Sequence, residues 1–92
     1  MKLSERARIL QQVIARQVGD ETVMLDLANG TYFSLDLVGA RIWHLLGEGK
    51  TLAEICDVMT DEYEVAGDVI ERDVLSLVEE LIAHGLIVPA QP

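Results

Sequence analysis

The stretch LDLANGTYFSLDLVGARIW, residues 25–43, constrains the fold more than any other part of the chain. Two alternating runs, 22–27 and 31–35, flank Asn29-Gly30, which is a strong hairpin signal. In the first run Val23, Leu25 and Leu27 point one way, with Met24 and Asp26 the other. A two-residue turn would set that apolar row beside Tyr32, Ser34 and Asp36. A three-residue loop, Ala28-Asn29-Gly30, pairs Leu27 with Thr31, Leu25 with Phe33 and Val23 with Leu35. It gathers the strongly apolar side chains, Met24 excepted, onto one face. A one-residue slip flips a whole strand, so the pattern predicts the three-residue loop.

A hairpin with one apolar face must be covered, and the rest of the chain is helical. Asp36 is placed to cap a helix over 37–46, with Val38, Ile42, Leu45 and Leu46 inside and Trp43 on the flank. Thr51-Leu52-Ala53-Glu54 reads as a capping box opening a second helix. Asp68-Val69-Ile70-Glu71 repeats that logic and opens a third, longest helix to about His84, with Gly85 as its C-terminal stop. Its inner stripe is Ile70, Val74, Leu77, Val78 and Leu81. Residues 10–18 fit a strand or a helix face equally well, and Leu86-Ile87-Val88 reads as a short apolar tail. The expectation is an α+β chain, two or three strands and then three helices, forming one domain over 1–92.

Chemistry is sparse. The single cysteine, Cys56, has apolar neighbours at helical spacing, reads as a buried small hydrophobe and fits a reducing cytoplasm. His44 and His84 are too far apart in sequence, and too few with one cysteine, to suggest a zinc set. The acidic run Asp57, Asp61, Glu62, Glu64 lacks calcium-loop spacing. No phosphate-binding or nucleophile motif appears, so no enzyme, metal or cofactor is expected. Apolar runs are too short to cross a bilayer, and the N-terminus lacks the apolar segment of a signal peptide. Sixteen acidic against seven basic residues, a net charge of −9, disfavour nucleic acid. The third helix exposes Glu71, Asp73, Glu79 and Glu80 against Arg72 alone, so a DNA-binding winged-helix regulator is disfavoured.

The segments VMLDLANGTYFSLDLVGARIWHLL, TLAEICDVMTDEYEV and ERDVLSLVEELIAHGLI together resemble the PqqD-like family over nearly the whole chain. That resemblance implies a three-stranded antiparallel sheet followed by three helices, winged helix-turn-helix-like, with the first segment a strand. It implies a non-enzymatic, cytoplasmic recognition element. Such an element binds the leader of a ribosomally made precursor peptide and presents it to modifying enzymes. The LDLANGTYFSLD wording is most similar to the discrete leader-binding proteins of lasso peptide clusters, which act with a leader peptidase and a cyclase. The other branch carries a precursor of pyrroloquinoline quinone to a radical enzyme. The family mode is strand addition on the third strand, here Thr31, Tyr32, Phe33, Ser34, Leu35 and Asp36. Along the third helix, Val69, Asp73, Leu77 and Glu80 follow helical spacing and are expected to line the adjoining groove.

Overall fold

The computed structural model describes residues 1–90. Five strands and three helices run in the order β1 (Arg6–Ile9), β2 (Val13–Val18), β3 (Glu21–Asp26), β4 (Thr31–Leu35), α1 (Leu37–Gly47), α2 (Leu52–Tyr63), α3 (Gly67–Ala83) and β5 (Ile87–Ala90). The α+β class and the three-strand, three-helix succession are those expected from the sequence. Strands β2, β3 and β4 form an antiparallel sheet in that order, with β4 at one edge. A second small sheet pairs β1 with β5, joining the two ends of the chain. This sheet was not expected: the tail 86–88 has no local partner, and its ladder needs residues about eighty positions upstream.

The helix ends are dictated locally. The Asp36 Oδ1 accepts the Gly39 N–H at 2.8 Å and caps α1. Thr51 and Glu54 form a reciprocal capping box on α2: Thr51 Oγ1 accepts the Glu54 N–H, and Glu54 Oε1 accepts the Thr51 N–H. Helix α3 ends in a Schellman motif. The Leu86 N–H donates to the Leu81 carbonyl and the Gly85 N–H to the Ile82 carbonyl, with Gly85 left-handed at φ 71. The expected Asp68 cap is corrected. Helix α3 starts two residues earlier, capped at Ala66 with no side-chain hydrogen bond, and Asp68 lies in its first turn beside the positive end of the helix dipole.

The core is assembled from Ile42, Trp43, Leu45 and Leu46 of α1, Leu52, Ile55 and Met59 of α2, and Ile70, Val74, Val78 and Leu81 of α3. Leu86 and Ile87, before and at the start of β5, add to it, as do Met24 and Leu35 from the larger sheet. Trp43 is buried and not on the flank, while Val38 is exposed.

The register of β3 against β4 overturns the expected loop. Asp26 pairs with Thr31, Met24 with Phe33 and Thr22 with Leu35, so the connection is the four residues Leu27, Ala28, Asn29 and Gly30. Asp26 is the reason. Its Oδ1 accepts the Ala28 N–H at 2.9 Å, its carbonyl accepts the Gly30 N–H at 2.8 Å, and Gly30 takes a positive φ of 73. A buried carboxylate requires such donors, and here the turn supplies one. Met24 and Asp26 therefore face the core, at 0% and 3% exposure, and Val23, Leu25 and Leu27 face away. The apolar alternation was read correctly as a strand and assigned to the wrong side.

This register is testable by cross-linking. In a Cys56→Ala background, cysteines at Val23 and Ser34 lie directly opposite on one face. Their separation suits a disulfide, so they should oxidise readily. Cysteines at Val23 and Leu35, opposite only in a three-residue-loop register, should stay reduced in a non-reducing gel or mass measurement.

Candidate functional site

Among the described residues, strand β4 has a hydrogen-bonded neighbour on one side only, since β1 and β5 pair with each other elsewhere. Which of its backbone groups are unspent follows from the ladder. The Leu27 N–H donates to the Gln12 carbonyl at 2.8 Å, so odd-numbered residues here turn their backbone groups towards β2. In an antiparallel sheet this direction alternates, so Thr22, Met24 and Asp26 turn theirs towards β4. Their partners Leu35, Phe33 and Thr31 are thereby committed. Tyr32 and Ser34 direct N–H and C=O out from the sheet edge. An open edge is ordinarily guarded by Lys, Pro or a bulge. Residues 31–35, TYFSL, carry none of these.

Beside this edge runs a groove of about 330 Å³, lined by β4, the start of α1 and one face of α3. Of the residues expected from the sequence, it brings together Phe33, Ser34, Leu35, Asp36, Asp73, Leu77 and Glu80. Thr31 and Tyr32 belong to the edge strand but do not line the groove; the Tyr32 side chain stands on the opposite face, 71% exposed. Val69 lies one turn too far towards the start of α3 and is outside it. Val38, Gly39, Ile42 and Ser76 line it and were missed. Val38 and Ile42, one helical turn apart on α1, had been assigned wholly to the core. Ser76 precedes Leu77 on the same exposed flank of α3, a spacing that the pattern of apolar residues does not mark.

The groove has an apolar floor and an acidic rim. Leu77 and Phe33 are half-buried against the core, and Phe33 meets the His84 ring edge-on at a centroid distance of 4.8 Å. Asp36 spends one oxygen on its helix cap. Asp73 and Glu80 are exposed, and among the described residues no cation lies within 4 Å of either carboxylate. Glu62, by contrast, holds Arg41 through paired hydrogen bonds, the shortest 2.7 Å, which depress its pKa and tie α1 to α2.

Among the described residues no three His, Cys, Asp or Glu side chains converge as metal ligands. His44 faces Glu48 on an exposed helix turn, 3.0 Å away. Burial pushes the Cys56 thiol pKa up, and the nearby Glu71 and Asp57 charges push it further. The nucleophilic thiolate is thereby disfavoured. No described helix is long and apolar enough to cross a membrane.

An unpaired edge strand flanking an apolar groove is the geometry on which strand-addition peptide binding depends. Comparison with known proteins agrees. The family described as Coenzyme PQQ synthesis protein D (PqqD) matches residues 21–87, and the chain belongs to that family. A solved structure described as TbiB1 in complex with the TbiA(beta) leader peptide is 42% identical to it. That match covers 87% of this chain and 93% of the other, at a TM-score of 0.81. Another, lasso peptide synthetase B1 complexed with the leader peptide, is 31% identical, covers 91% of this chain and 99% of that one, and has a TM-score of 0.84. No curated protein matched.

The thiol gives a direct check on the chemistry. Because the folded pKa is raised, the thiolate fraction at pH 8 is below that of a free cysteine. Alkylation of Cys56 by iodoacetamide should therefore be slower than that of the unfolded chain and accelerate as pH rises further. A rate equal to or above that of the unfolded chain would mark a reactive thiol instead.

Proposed function

We propose that this chain binds the leader region of a ribosomally synthesised precursor peptide as an added antiparallel strand on β4 and presents it to the modifying enzymes of lasso peptide biosynthesis. The observation that carries the proposal is the outward-facing backbone of Tyr32 and Ser34 beside the groove under Leu77. Two solved relatives that share the fold hold leader peptides.

Strand addition explains how such a site achieves both affinity and selectivity. A guest strand pairs with Tyr32 and Ser34 through their N–H and C=O groups, which fixes its register whatever its sequence. The guest residue opposite Phe33 then points to the same side as Phe33 and Leu35, into the groove. Val38, Ile42 and Leu77 offer it an apolar surface, and Asp73 and Glu80 stand ready for a Lys, Arg or Tyr hydroxyl at the rim. Removing apolar surface from water supplies the main driving force, and the exposed carboxylates mostly select. The protein itself acts as a non-catalytic, cytoplasmic binding partner. Holding the leader raises the local concentration of precursor at a leader peptidase and a cyclase.

The family description favours a second role, delivery of a quinone-cofactor precursor to a radical enzyme. The solved relative described as lasso peptide synthetase B1 favours the lasso branch. A transglutaminase-like peptidase and an asparagine-synthetase-like cyclase encoded beside the gene would select it, and a radical enzyme would select the other.

Two substitutions test the site by titration with a fluorescent cognate leader. Leu77→Asp places a charge on the groove floor and should weaken binding by roughly 30-fold or more, about 2 kcal/mol, while preserving the helical circular dichroism. Ser34→Pro removes an outward N–H without touching the β3 ladder, which an edge strand tolerates, and should weaken binding by roughly 10-fold. Wild-type affinity in both variants would place the peptide elsewhere.

A further inference from the structure

The sheet that ends in β4 on one side ends in β2 on the other. The Gln12 carbonyl accepts the Leu27 N–H, so even-numbered residues of β2 turn their backbone groups towards β3 and odd-numbered ones turn them out. The Val13 N–H is spent on the Leu10 carbonyl at 3.1 Å. Among the described residues, the N–H and C=O of Ala15 and Gln17 have no backbone partner. Elsewhere the chain does guard an edge. In the β1–β5 pair the Leu10 N–H donates to the Leu86 carbonyl, so position 89 faces outward, and Pro89 has no N–H to offer there. Strand β2, VIARQV, holds neither Pro nor Lys.

A cleft of about 480 Å³ opens under this edge, between the inner face of the sheet and α1. Gln17 and Thr22, paired across the two strands, line it on the sheet side, with Leu37, Ala40, Arg41 and Tyr63 opposite. Leu37 is 58% exposed and Tyr63 38%, so the cleft offers apolar surface that the chain leaves uncovered. Its two basic side chains already hold acids, Arg41 with Glu62 and His44 with Glu48, and Asp20 stands at its rim. Arg16 alternates to the other side of the edge, and among the described residues no carboxylate lies within 4 Å of it. The stretch 6–19 carries three arginines and no acid, in a chain of net charge −9. Charge and shape therefore ask for the same guest: an extended chain with an acid on one side and apolar groups on the other.

We propose that β2 is a second strand-addition edge, which takes an extended segment of a partner protein in which an acidic residue stands between two apolar ones. A strand paired with Ala15 and Gln17 sends the side chains opposite them into the cleft, against Leu37 and Tyr63. The side chain opposite Arg16 falls on the other face, where a carboxylate meets the guanidinium. The β4 groove offers the reverse, the carboxylates of Asp73 and Glu80. Four strand spacings of about 4.8 Å put guests on the two edges roughly 19 Å apart, so both fit at once. The β2 edge stands on its own geometry, whether or not a leader occupies β4.

The test is an NMR titration of the full chain, labelled with ¹⁵N, against two heptapeptides: one alternating valine with glutamate, the other valine with lysine. The glutamate peptide should shift the Ala15 and Gln17 amides and slow their exchange with solvent, and the lysine peptide should bind them several-fold more weakly. Arg16→Glu should weaken the glutamate peptide by about 5-fold and invert the preference, a reversal that a loss of folding does not produce. Ala15→Pro removes an outward N–H from an edge strand and should weaken the glutamate peptide by roughly 10-fold. A cognate leader, read at the Tyr32 and Ser34 amides, should bind alongside the glutamate peptide without displacing it. No response at Ala15 and Gln17, or equal binding of both peptides before and after Arg16→Glu, would overturn the proposal. Displacement of the peptide by leader would overturn it too, as would a free-protein dimer in which Ala15 and Gln17 are already protected, which would give this edge to a second copy of the chain.

Discussion

The buried carboxylate of Asp26 sets the register on which the rest of the structure depends. It accepts the Ala28 N–H while its own carbonyl accepts the Gly30 N–H, closing a four-residue loop. With that loop in place, Thr31, Phe33 and Leu35 face β3 with their backbone groups, and Tyr32 and Ser34 do not. The same register turns Met24 inward and Val23, Leu25 and Leu27 outward. A slip by one residue would bury the apolar row, expose Met24, and strip Asp26 of its setting. One short turn thus decides which backbone amides are vacant, which side chains floor the groove, and which apolar row is left facing solvent.

The consequence is a division of labour within a small acidic chain. The helices and the β1–β5 pair take up most of the core, so the three-stranded sheet is held to the body mainly by Met24, Leu35, Phe33 and Val13. Strand β4 is anchored by Phe33 and Leu35 on its inner face and paired with β3, so its outward amides are in place before a guest arrives. Preorganisation of this sort lowers the entropic cost of binding an extended peptide. The carboxylates spread over α2 and α3 oppose nucleic acid, and two of them, Asp73 and Glu80, stand at the groove without a cationic partner among the described residues. The chain belongs to the PqqD family, and two solved relatives of the same fold hold leader peptides.

What was legible in the sequence was local. Asp36, the Thr51–Glu54 box and Gly85 act within a few residues of themselves, and each stands where its pattern indicated. Asp68 was misread because a cap pattern also fits a first-turn acid, and only the backbone at Ala66 distinguishes the two. Register was misread because counting apolar residues weighed three side chains against Met24 and ignored what a buried Asp26 can do at a turn. The β1–β5 ladder left no local trace, since its partners lie at the two ends of the chain. Along the groove, Phe33 to Asp36 stand where the family's strand-addition mode puts them and Asp73, Leu77 and Glu80 where helical spacing does, whereas Thr31, Tyr32 and Val69 lie outside it and Ser76 was not marked. Nor were Val38 and Ile42, because a helix stripe does not reveal where the core ends and a cleft begins.

The most direct measurement of the central claim is amide hydrogen exchange, residue by residue, with and without a cognate leader. Phe33 and Leu35 should be protected in the free protein, with Tyr32 and Ser34 exchanging fast. Addition of leader should slow Tyr32 and Ser34 selectively. Protection of those two amides already in the free chain, or no change on saturation with leader, would contradict the account.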